Sequence, residues 1–200
     1  MAHRMECDWE FEIAPDAPII DAAWAGFVDL RSDPSRIIAI DEAAQYPALA
    51  HALTRLNANS SPVWTAKCDV WKVEEFDLDE LDADALNAQA ALGCYIDLLP
   101  SDPGPICTLE GSANWCRQLC LILRRQPLRR CRVDIVVRRA FFTSDLDGLG
   151  ATAYVTACCQ TEAGATEVLS RALAALTDSV LAVLPMEADT PKYNESIPGE

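Results

Sequence analysis

Residues 131–160 read CRVDIVVRRAFF, then TSDLDGLG, then ATAYVTACCQ. Two runs rich in β-branched and aromatic residues flank a segment containing Asp147-Gly148. Glycine tolerates positive φ and aspartate bonds its own backbone, so this pattern predicts a β-hairpin that turns at Asp147-Gly148. In the first run Cys131, Val133, Ile135 and Val137 alternate with Arg132, Asp134, Val136 and Arg138. A strand that buries one face has this period of two.

Working outward, the same alternation recurs. Asp8–Ala14 sets Trp9, Phe11 and Ile13 against Glu10 and Glu12. In Val63–Val73, Trp64, Ala66, Cys68 and Val70 are expected on one face and Thr65, Lys67, Asp69 and Trp71 on the other. In Ala91–Leu99, Leu92, Cys94, Ile96 and Leu98 point inward, with Tyr95 and Asp97 outward. Phe27–Leu30 and Arg36–Ile40 are shorter strand candidates.

Three segments have helical spacing instead. Tyr46–Leu56 carries Pro47 where a missing N–H costs nothing, with Leu49, Leu53 and Leu56 on one side. Ser112 is the expected cap of a helix to Arg125, with Trp115, Cys116, Leu119, Cys120, Ile122 and Leu123 apolar. Ala165–Leu184 is the last helix.

From residue 36 the order is β-α-β-β-α-β-β-α. It predicts an α+β domain: a mostly antiparallel sheet with helices on one face. The expected centre is a ferredoxin-like (βαββαβ) core with extra N-terminal strands and a C-terminal helix. Residues 8–184 form one such domain on this reading, with a flexible N-terminal tail over 1–7 and a polar C-terminal tail over 185–200.

The chain has 200 residues, a formal net charge of −15 and a sequence pI near 4.4. An acidic surface repels nucleic acid and anionic membrane, so neither is expected as a partner. The charge is uneven. No lysine or arginine stands between Lys72 and Arg117, whereas residues 117–139 hold eight arginines and one acid, Asp134. Internal pairing of the acidic connection with the basic segment accounts for this. Anion binding by Arg124, Arg125, Arg129, Arg130 and Arg132 is the alternative.

Nine cysteines, an odd number, come with no leader-like apolar run at the N-terminus. Several occupy apolar-face positions, where a free cysteine packs as a small hydrophobe. A reduced, cytoplasmic protein follows as the expectation. Residues 166–184 are broken by Glu167, Arg171 and Asp178, so no membrane span is expected.

The usual catalytic signatures are absent: no glycine-rich phosphate loop, no G-x-S-x-G, no H-E-x-x-H. His3 lies in the tail, and His51 sits on a helix beside no obvious acid or nucleophile. Cys116 and Cys120 share a helix face, but the close-spaced partners of a zinc site are missing. Asp77, Asp79, Asp82 and Asp84 do not form a calcium loop, since the sixth and twelfth positions hold Asp82 and Ala88. No cofactor and no metal is called for.

What remains is the outward face of the sheet. The candidate binding residues are Lys67, Asp69, Trp71, Tyr95, Asp97, Arg132, Asp134, Arg138 and Tyr154, with Thr65 and Thr156 beside them. Large aromatics on a wet face expose apolar area that calls for a cover. A non-catalytic module binding a small ligand or a protein partner, as a homodimer, is the first expectation. Trp71 and Tyr95 should then be largely covered. The alternative is an enzyme in which Asp69, Asp97 and Asp134 converge on a divalent cation while Lys67, Arg132 and Arg138 hold an anionic substrate.

Overall fold

A computed structural model describes residues 4–183 except 23, 103–104 and 144–145. The polar tail expected over 185–200, residues 1–3 of the N-terminal tail and Leu184 lie outside the described residues. The strands are β1 (Glu6–Glu12), β2 (Ile20–Asp21), β3 (Val63–Val73), β4 (Ala90–Pro100), β5 (Cys131–Thr143) and β6 (Leu146–Cys159). The helices are α1 (Asp41–Gln45), α2 (Pro47–Leu56), α3 (Leu109–Leu123) and α4 (Glu162–Ala182). This is a mixed α+β architecture with one six-stranded, mostly antiparallel sheet.

The strand order is β1-β5-β6-β4-β3, and β2 also pairs with β5. β5–β6, β6–β4 and β4–β3 are antiparallel, while β1 and β2 run parallel to β5. β4 and β5 are therefore parallel to each other, joined through α3, with β6 inserted between them. This order does not confirm the ferredoxin-like βαββαβ core. The strand expected to open that pattern, Arg36–Ile40, is a 3-10 turn over Pro34–Ala39. Asp33 caps it by accepting a hydrogen bond from the Ser35 N–H, and Pro34 suits its first position. Ile37 and Ile40 pack on the core while Ile38 is 84% exposed, a spacing of three rather than two.

Other boundaries differ as well. Met5 is buried and Glu6 and Cys7 open β1, so residues 5–7 belong to the folded domain and not to a tail. Phe27–Leu30 is not a strand; Phe27 stands edge-on to Trp64 and Leu30 enters the core. Thr108, not Ser112, caps α3 by accepting from the Gly111 N–H at 3.0 Å. Ser112 is buried one turn in and bonds the Ile106 carbonyl. Asp147 and Gly148 lie within the β5–β6 ladder, opposite Phe141 and Ala140, and so do not form the turn expected there. Gly148 is small for another reason: a Cβ there would meet the Phe142 ring at 2.9 Å.

The main core fills the space between the sheet and its helices. It joins Leu92, Cys94, Ile96 and Leu98 of β4 and Val133, Ile135 and Val137 of β5 with Leu119 and Leu123 of α3 and Leu169, Leu173 and Leu176 of α4. The inward face of β4 is as expected. That of β3 is not. Thr65 pairs with Leu98 but Cys68 pairs with Ile96, so Ala66 and Lys67 together oppose Asp97. This β-bulge reverses the alternation. Before it, Val63 faces the helices while Trp64 and Ala66 face the other side; after it, Cys68 and Val70 face the helices.

The outer face of the sheet is covered at its two ends by connecting segments. At one end Ile20, Ala22 and Phe27 pack on Trp64, Ala66, Leu99 and Ala140. At the other, Phe76, Leu78, Leu81 and Ala88 pack on Val73, Ala91 and Cys158. A band across the middle is left between these caps.

Candidate functional site

Three rows of cross-strand neighbours make up the band. The first runs Arg132, Thr156, Gly93, Trp71 from β5 to β3; the second, Asp134, Tyr154, Tyr95, Asp69; the third, Val136, Thr152, Asp97. Seven of the outer-face candidates thus share one side, Arg138 follows one row further on, opposite Gly150, and Lys67 enters from the bulge. Glu6, Asp8, Glu10 and Glu12 of β1 extend the rows at the far edge.

The aromatic side chains form a ladder. Ring centroids lie 6.2 Å apart for Trp71 and Tyr95 and 6.0 Å apart for Tyr95 and Tyr154. Gly93 makes room for it, since a Cβ there would come within 2.5 Å of the Trp71 indole. Tyr95 and Tyr154 are half-buried. Trp71 remains 39% exposed against the rest of the described chain. Gly93 and Tyr95 support the indole from one side, and the caps end short of it.

The two arginines of the band are paired. Arg132 donates through Nε to both Asp134 oxygens at 2.8 Å and lies 3.7 Å from Glu80. Arg138 donates to Glu12 at 2.5 Å, to Thr152 Oγ1 at 3.1 Å and to the Tyr154 hydroxyl at 2.9 Å. Arg129 pairs with Asp82, and Arg124 donates to the Cys7 carbonyl. The basic segment is thus tied to the acidic connection and to β1, as internal pairing requires.

The three aspartates have different surroundings. Asp134 is held by Arg132. Asp69 bonds the Val70 N–H at 2.7 Å and has no ion pair among the described residues. Asp97 is only 6% exposed and accepts one hydrogen bond, from Thr152 Oγ1 at 2.6 Å. Burial raises its pKa above the usual 3.8, opposed by the Thr152 bond and the charges of Arg138 and Lys67. The Tyr95 phenol is pushed up to about 12 by burial and by the carboxylates of Asp97 and Asp69. Asp69 sits opposite Tyr95, and Asp134 lies two strands away beyond Tyr154. Among the described residues no three His, Cys, Asp or Glu side chains gather closely enough to hold a metal ion. The convergence on a divalent cation expected of the alternative is therefore not seen.

A raised carboxyl pKa makes folding favour the protonated form. The wild type should lose stability as pH rises from 3.8 through the folded-state value. Asp97→Asn should accordingly be more stable than the wild type at pH 7, with the difference shrinking toward pH 4. Urea denaturation of both proteins across that range checks this; a variant less stable at every pH contradicts it.

Sequence reasoning missed Glu12, Thr152 and Gly93 as participants, and the bulge that places Lys67 beside Asp97. Thr152 was accessible from alternation, two residues before Tyr154. All nine thiols are unpaired, and the Cys7 and Cys120 sulfurs touch at 3.1 Å between β1 and α3. No described helix is long and apolar enough to cross a membrane. Compared with protein families, with curated proteins and with solved structures, the chain matches none.

Proposed function

We propose that this chain is a cytoplasmic, non-catalytic binding module that takes a small ligand on the open band of its sheet. One observation carries the reading. The outer face is capped by apolar clusters at both ends, yet the band between them holds an indole still 39% exposed on a floor of half-buried tyrosines. A solvated sheet face has no use for such a ladder, and aromatics with polar tips suit an interface that is partly wet. The exposed indole also fits the homodimer expected from sequence, with a second copy as cover.

Trp71→Asp tests both. Sedimentation of the wild type and the variant reports the dimer: a dimer that becomes a monomer assigns the face to self-association. A thermal-shift screen of small metabolites, grouped by charge, reports the ligand. On the ligand reading the wild type is monomeric and stabilised by members of one chemical group, and the folded variant is stabilised by none. Compounds that stabilise both proteins equally bind elsewhere and sink the proposal.

A further inference from the structure

Resting on that binding reading, we infer that the Trp71–Tyr95 end of the band is a site for a small organic cation, an ammonium group seated over the two rings beside Asp69. Four other aromatic rings already carry a cation of the chain itself. Arg31 lies over Trp64, Lys67 over Trp24, Arg117 over Trp9 and Arg138 over Tyr154, at 3.8 to 5.6 Å from the ring centres. Trp71 and Tyr95 have none among the described residues, although Asp69 lies opposite Tyr95 and Asp97 one outer-face position further along β4.

The charges agree. Across the β5 half of the band each arginine is matched by an acid. In the β3–β4 half Asp69 and Asp97 have no ion pair among the described residues; Lys67 leans over Trp24, and Arg138, which reaches Asp97 only through Thr152, is held by Glu12. Asp97 is too buried to touch a ligand, but a charge in a dry site is poorly screened, so its field reaches Tyr95. Burial raises the Tyr95 phenol most, and the carboxylates of Asp97 and Asp69 raise it further. A positive group over the ring face gains from the ring quadrupole and from both carboxylates, whereas an anion there is repelled.

The test follows the Trp71 indole N–H in nitrogen-correlated NMR spectra at physiological salt, assigned by its loss in Trp71→Phe. The probes are spermidine, phenethylamine and tetramethylammonium, with the neutral phenethyl alcohol, malonate and an oligolysine peptide for comparison. At least one of the three small cations should shift that signal saturably. Asp69→Asn and Asp97→Asn should each weaken binding fivefold or more, and Glu10→Gln, at the far edge, less than twofold. Asp97→Asn is expected to be well folded, so its lost binding cannot come from unfolding. No shift with the three small cations overturns the inference, as does binding that survives both aspartate changes. A response to the alcohol or to malonate alone keeps the binding surface and discards the cation. A response to oligolysine alone replaces the small ligand by a basic protein. Silence toward every probe sinks both this inference and the binding reading beneath it.

Discussion

Trp64→Ala should lower the free energy of unfolding by about 3–5 kcal/mol. The bulge gives β3 two residues against Asp97, so Trp64 faces the outer cluster while Cys68 and Val70 face the helices. Trp64 is 5% exposed, packs with Leu99 and Ala140, and donates its indole N–H to the Pro100 carbonyl at 3.2 Å. Truncation removes that hydrogen bond and leaves a void beneath Phe27 and Arg31. Chemical denaturation against the wild type measures the loss. A variant within about 1 kcal/mol of the wild type would show that Trp64 is not packed on the outer face, and the account of the two faces of β3 would be wrong.

Leu176→Ala should cost about 2–5 kcal/mol, toward the upper part of that range. Leu176 is 0% exposed in the main core. Its helix, α4, packs across β6, β4 and β5 and also touches α2 and α3. A void at that crossing cannot close by the shift of one neighbour, because each neighbour is itself held by the sheet or by another helix. Leu176→Met, which nearly conserves volume, should cost less than about 1.5 kcal/mol. Equal losses for the two variants would place the effect in helix propensity or surface chemistry rather than in packing.

Alternation carried the long strands. Val63–Val73 was read to the residue, and the inward set Leu92, Cys94, Ile96 and Leu98 was correct because β4 is central, regular and packed on one face by helices. The same reasoning failed at Trp64, since a bulge has no composition of its own; it appears only when a partner strand supplies the register. Arg36–Ile40 misled because five residues are too few to separate a spacing of two from one of three. Asp147-Gly148 misled because twelve or more residues of ladder outweigh a local turn preference. Strand order was not legible, since nothing in β1 announces a parallel partner. The band was legible as a list of residues, but the pairing that splits Asp134 from Asp69 and Asp97 required the side chains in place.

β1 has one further consequence, for synthesis. Glu12 and Arg138 are joined across 126 residues of chain. At typical synthesis rates of roughly 5–20 residues per second, β1 leaves the ribosome roughly 6–25 s before β5 exists to receive it. During that interval its Cys7, Trp9 and Phe11 are presented with nothing to cover them. The acids interleaved with them, Glu6, Asp8, Glu10 and Glu12, repel the same segment of a neighbouring nascent chain. Those carboxylates thus act first as a guard on the waiting strand, and only afterwards, through Glu12, as an anchor for Arg138.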